Sequence, residues 1–155
     1  MTLVFAMILD AVFGEPKAIW SRIPHPAVLM GKSVGFLDLH LNTGENRKLR
    51  GVLATIALVI SGIGIALFIQ SLGTLAVILT TAILLAQRSL CDHLKSVAND
   101  LRLDLRAGRR AVSMIVGRDT ADMASDDVVR SAIESGAENL SDGIIAPLFW
   151  FVVAG

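Results

Sequence analysis

The stretch from Gly51 to Gln87, GVLATIALVISGIGIALFIQSLGTLAVILTTAILLAQ, carries no charged residue. As one helix it would reach about 56 Å, nearly twice the roughly 30 Å hydrocarbon core of a bilayer, so it must fold back. Gln70, Ser71 and Gly73 interrupt the apolar run and supply the break, leaving two legs, Gly51–Ile69 and Thr74–Gln87. The reading is a transmembrane helical hairpin over residues 51–87. A buried hairpin of a soluble protein competes with it, but such helices rarely lack any charged face. Ser61, Gly62 and Gly64 are small enough to let a neighbouring helix approach closely.

Working outward, Arg47, Lys48 and Arg50 precede the hairpin and Arg88 and Lys95 follow it. The positive-inside rule then puts both ends in the cytoplasm and the Gln70 turn outside. The whole chain agrees with a bilayer environment: of 155 residues 54% are hydrophobic and 18% charged, and mean hydropathy is +0.65. Fourteen basic residues balance fourteen acidic ones, which leaves no broad positive field for nucleic acid. The lone cysteine, Cys91, can form neither an internal disulfide nor a zinc-ligand pair and is expected to be a small buried residue. The expected class is therefore all-α, a multi-pass integral membrane protein with cytoplasmic amphipathic helices.

Before the hairpin, Met1 to Leu9 is apolar without a basic lead, so it is not a signal peptide. It is too short for a routine span and predicts a short, re-entrant or tilted helix ending near Phe13. After the hairpin, residues 88–142 read as a cytoplasmic helical segment. Leu90, Leu94, Val97, Leu101 and Leu105 recur at helical spacing, Gly108 is expected to end that helix, and Arg109–Val116 reads as a short helix or strand. Gly117-Arg118-Asp119-Thr120 is a turn, Ser125 suits an N-cap with Asp126 and Asp127 in the first turn, and the helix runs to about Leu140. Residues 143–155 are apolar and stop before crossing a membrane, so they read as the start of a further transmembrane helix and the chain as a truncated, single N-terminal fragment over 1–155.

Glu134 and Glu138 lie four apart on one helix face, Asn139 stands beside them, and Asp142 follows. Carboxylates at this spacing repel, so a metal ion, a substrate cation or an arginine such as Arg118 or Arg88 should compensate. The bland alternative is a solvated face on which Arg130 pairs with Glu134. Arg118 and Asp119 offer a guanidinium fork for phosphate and an oxygen for Mg²⁺, although Arg-Asp pairs in turns are commonly structural. Asp10, Glu15 and the Pro24-His25-Pro26 loop place carboxylates and an imidazole after the first helix, and the prolines restrict the His25 backbone. Gly31-Lys32-Ser33 lacks the first glycine of a phosphate loop, which would fall at Pro26. His40 and His93 have no partner at ligand spacing.

Ile115-Val116-Gly117-Arg118-Asp119-Thr120, then Glu134, Glu138-Asn139 and Ser141-Asp142-Gly143-Ile144-Ile145-Ala146-Pro147-Leu148-Phe149, resemble the signature block of the adenosylcobinamide-phosphate synthase family, CobD or CbiB. Asp10 to Pro16, His25-Pro26 and Gly31 are similar to its N-terminal pattern, and Arg88-Ser89 falls where that family has an arginine-serine pair. Several motifs agreeing in order are more specific than any one alone. The resemblance implies the N-terminal half of an inner-membrane enzyme of cobalamin biosynthesis that joins adenosylcobyric acid to aminopropanol or its phosphate. It points to ATP as co-substrate, with Mg²⁺. On that basis Asp119, His25 and Glu134 are the candidate catalytic groups, Arg88, Arg118 and Asn139 candidates for substrate and phosphate, and Glu138, Asp142, Asp10 and Glu15 candidates for metal. Its implied partners are a corrinoid, an amino alcohol and the bilayer, with a homo-oligomer or a complex with other pathway enzymes allowed. Two rivals remain: a corrinoid transporter or binding component, whose charged cluster lines a pathway, and a membrane scaffold for pathway enzymes.

Overall fold

The computed structural model describes residues 1–154, the side chain of Lys17 excepted, and all regular structure among them is helical. In chain order the elements are α1 (Thr2–Phe13), α2 (Lys17–Trp20), α3 (Pro26–Leu41), α4 (Arg47–Ser71), α5 (Thr74–Leu84), α6 (Gln87–Leu103), α7 (Leu105–Val112) and α8 (Ser125–Leu140), then a π-helical turn, Ser141–Ile145, and α9 (Ala146–Ala154). Among the described residues, three helical stretches are long and apolar enough to cross a membrane: Arg47–Ser71, Thr74–Leu103 and Ser125–Ala154. The chain divides into two compact units, one of Pro16–Leu84 and one combining Leu3–Glu15 with the chain from Leu85 onward.

In the first unit α3 and α4 pack together, as do α4 and α5. The hairpin breaks where expected: α4 stops at Ser71, and Gly73 turns the chain with φ +97°, a conformation open mainly to glycine. Most large apolar side chains of α4 are exposed, among them Ile56, Ile60, Ile63 and Phe68, which suits a lipid solvent rather than water. The legs differ from expectation in their ends. α4 begins four residues earlier, at Arg47, and α5 stops at Leu84; the second candidate span includes α6 through to Leu103, beyond the expected limit at Gln87.

The second unit has a small core of Val97, Val112, Val128 and Ala132, with Leu94, Leu101, Leu105, Ile115, Val116 and Met123 packed around it. The helical spacing read from Leu90 to Leu101 therefore does mark the buried stripe of α6. Its end does not fall at Gly108. Asp104 takes an extended backbone, φ −164°, and its Oδ1 accepts the Ala107 N–H at 2.7 Å, so it stops α6 and N-caps α7. Gly108 is buried inside α7, where an added Cβ would lie 2.6 Å from Leu101 Cδ1 and 3.1 Å from Leu101 Cα. It is a contact glycine, not a terminator.

The start of α8 also shifts by one residue. Ala124 is the N-cap and Ser125 the first helical residue, and the Asp127 carboxylate accepts the Ala124 N–H at 3.2 Å. That is the half of a capping box that alanine permits. At the other end the backbone continues helically: Ser141–Ile145 widens into a π turn and leads straight into α9. Asp142 thus lies within a continuous helical path, not beyond its end.

Candidate functional site

Every motif-bearing residue from Arg88 to Asp142, together with Asp10, belongs to the second unit. The start of α6 is its organising point. This helix has Ala86 as its N-cap, whose methyl group cannot cap, and its first amides are taken by remote acceptors instead. The Ala86 N–H donates to the Gly143 carbonyl of the π turn at 3.3 Å. The Gln87 and Arg88 N–H groups donate to Asp10 Oδ2 at 2.9 and 3.3 Å. Asp10 is only 3% exposed. Burial pushes its carboxyl above the usual carboxylate range, and the Arg88 and Gln87 amides partly draw it back.

The Arg88 side chain turns back along the same seam. Its Nη1 donates to the Ala11 carbonyl at 3.0 Å and its Nε to Asp92 Oδ2 at 2.9 Å. Gly14, at φ +56°, leaves room for the arginine stem, since a Cβ there would sit 2.6 Å from Arg88 Cγ.

The loop between α7 and α8 is fastened by two contacts that sequence reasoning missed. Thr120, 7% exposed, donates its hydroxyl to the Arg109 carbonyl at 3.1 Å, and Arg109 Nε donates to the Met123 carbonyl at 2.7 Å. Asp119 accepts the Ala121 N–H at 2.9 Å, an Asx turn that shapes the loop. Arg118 then reaches α8 and donates from Nη2 to Glu134 Oε2 at 2.7 Å. The compensating cation for Glu134 is therefore Arg118 and not Arg130. Both partners are half exposed, 54% and 52%, so an anionic substrate has access to the guanidinium.

Glu138 and Asp142 are exposed, and the Asn139 amide donates to the Ser135 carbonyl at 2.8 Å along its own helix. Among the described residues no three His, Cys, Asp or Glu side chains gather as a metal cage. The donors present do not form a closed all-protein cation site; Glu138 and Asp142 stand as separate exposed carboxylates. An apolar cleft of about 660 Å³ runs between α6 and α8, lined by Leu90, Leu94, Leu101, Ile133 and Leu140, with Cys91 on its wall. Cys91 is exposed, not buried as expected, because it stands at the edge of the α6 stripe.

His25 belongs to the other unit. It N-caps α3, its Nδ1 accepting the Ala27 N–H at 3.2 Å, and its ring meets Trp20 edge to face at 4.5 Å between centroids. That bond sets the tautomer with hydrogen on Nε2. His25 Nε2 and Trp20 Nε1 are both buried without a partner among the described residues. Glu15 is exposed.

Fold and site together define an all-helical protein with helices long and apolar enough to cross a membrane, a fixed arginine at one helix start and an arginine-carboxylate pair between loop and helix. Comparison with known proteins is then specific. A profile of the CobD/Cbib protein family matches residues 3–155, and the chain belongs to that family. It is 46% identical over 167 residues to a Cobalamin biosynthesis protein CobD of Rhizobium meliloti, covering 100% of this chain and 51% of that protein. It is 42% identical over 167 residues to the Brucella suis protein of the same name, and 42% over 161 residues to that of Rhodobacter capsulatus. These matches again cover 100% and 99% of this chain and 51% of each relative. The chain spans about half the length of the curated relatives it matches. No solved structure matches it.

Proposed function

We propose that this chain forms the N-terminal half of a membrane enzyme of cobalamin biosynthesis, an ATP-dependent ligase that joins a carboxylate of adenosylcobyric acid to the amine of aminopropanol or its phosphate. The observation that carries this reading is the 46% identity, along the whole chain, to a protein named for cobalamin biosynthesis. The inner membrane is the expected site, with the charged segments cytoplasmic. A homo-oligomer or a complex with other enzymes of the pathway is consistent with it.

Amide formation in water is uphill, so the acid must be activated. In the proposed sequence the substrate carboxylate attacks the γ-phosphorus of ATP, releasing ADP and leaving an acyl phosphate. The deprotonated amine then attacks the acyl carbon, the amide forms, and inorganic phosphate departs. Both steps place charge on phosphoryl oxygens, which positioned guanidinium groups stabilise. Arg118 and Arg88 are assigned that role, and Asn139 is assigned to substrate. Glu134 holds Arg118 in place and could yield it to a phosphate. When bound, Mg²⁺ would neutralise polyphosphate charge, with Glu138 and Asp142 as its proposed protein ligands and Glu15 as a further carboxylate. Asp119 or His25 is the proposed group for proton transfer: the Asp119 carboxylate can accept the ammonium proton, whereas His25, whose Nε2 already carries hydrogen, would act there only as a donor.

The test is genetic. In cells whose own family member is deleted, and which grow on cobinamide but not on cobyric acid, the full-length protein should restore growth on cobyric acid. Continued need for cobinamide, with the protein present in the membrane, would overturn the assignment.

A further inference from the structure

We infer that Asp10 is a positioning residue for Arg88, fixing from a remote helix the direction in which that arginine presents itself to an oxyanion. The inference deepens the reading of Arg88 as a phosphate ligand and rests on it.

The first turn of an α-helix leaves unsatisfied N–H groups, normally met by the side chain of the N-cap residue. Ala86 cannot do this. Asp10 supplies the missing acceptor from 77 residues away, with one oxygen shared between the Gln87 and Arg88 amides. A carboxylate is favoured at this end by the helix dipole as well as by the two bonds. The contact holds the Arg88 backbone against the last turn of α1. The same turn holds its side chain: the Ala11 carbonyl, one residue on from Asp10, takes Nη1, while Asp92 takes Nε. Gly14 completes the seam, because any side chain there would strike the Arg88 stem.

With Nε and one Nη1 hydrogen committed, the remaining Nη1 and Nη2 hydrogens are left for an oxyanion, and the side chain is 47% exposed. An arginine tied at backbone, stem and two guanidinium nitrogens loses little rotamer freedom on binding an oxyanion. This also gives Asp10 a use other than cation binding, since its Oδ2 is already occupied.

The experiment uses the full-length protein in membranes, with ATP and Mg²⁺ as the probe of the phosphate site. Asp10→Ala is expected to raise KM for ATP about tenfold, the loss of one buried hydrogen-bond acceptor, with a smaller change in kcat. Amide hydrogen exchange at Gln87 and Arg88 should lose protection in the same variant. Asp10→Asn keeps an oxygen acceptor and should recover most of both effects. Should Asp10→Ala fail to assemble, Asp10→Glu reads the same geometry: it keeps the charge but displaces the oxygen by one methylene, and a raised KM supports positioning. Unchanged KM and protection in Asp10→Ala would overturn the inference. So would an Asp10→Asn as impaired as Asp10→Ala, which would mean that the charge itself is used. If Arg88→Ala leaves KM for ATP unaltered while Asp10→Ala still loses amide protection, the contact stands and the reading of Arg88 as a phosphate ligand fails.

Discussion

Substituting Gly108 by alanine separates a packing role from a merely helical one, because the two predict opposite signs. In an exposed helix interior Gly→Ala stabilises by about 1 kcal/mol through helix propensity. Here the new Cβ would meet Leu101 at 2.6 Å from Cδ1, 3.0 Å from Cβ and 3.1 Å from Cα. The Cδ1 can rotate away, but Cβ and Cα move only with the α6 backbone, so α7 must shift by some tenths of an ångström. Overpacking of this kind costs about 1–3 kcal/mol. The net expectation is a loss of up to about 2 kcal/mol, read as a lower Tm of the detergent-solubilised full-length protein. Gly62, whose added Cβ meets nothing within 4 Å, is the control, and Gly62→Ala should leave Tm unchanged or raised. A Gly108→Ala protein more stable than the wild type would refute the packing argument.

Gly14→Ala should destabilise by about 2 kcal/mol or more, combining strain at φ +56° with the Arg88 clash; a neutral melt would contradict the described seam. Because the folded pKa of Asp10 is raised above its ordinary 3.8, the folded state keeps a proton that the unfolded chain has lost in the window just above that value. Stability should therefore fall as pH rises through this window, and the Asp10→Asn melt should lack that component; equal slopes in the two proteins would count against it. The half-exposed Arg118–Glu134 pair should contribute less than about 1 kcal/mol to stability. Glu134→Gln should therefore barely move the melt yet alter KM for ATP, and an unaltered KM would argue that Arg118 does not meet phosphate.

The hairpin and the buried stripe of α6 were legible because both rest on long apolar patterns that local sequence expresses directly. The fold-back at Gly73 and the end of α1 at Phe13 follow from the same logic. Gly108 misled because a glycine needed for close approach looks identical in sequence to one that ends a helix. Asp104, followed by a helical segment, carried the N-cap signal that would have placed the break correctly. Asp10, Thr120 and Arg109 act on backbone groups of distant segments, and no local pattern records such partners. For the site, the need of Glu134 for a cation was readable, whereas the choice of Arg118 over Arg130 depends on the path of the 113–124 loop. Nothing in the residue types of Ser141–Ile145 distinguishes a π turn from an ordinary helical turn.

The most direct test of the central claim is mass spectrometry of adenosylcobyric acid incubated with membranes containing the full-length protein, aminopropanol phosphate, Mg²⁺ and ATP. The account predicts an ATP-dependent mass gain equal to the amine less one water, lost in Glu138→Gln. A corrinoid of unchanged mass, with intact protein shown in those membranes, would contradict it and favour transport or scaffolding.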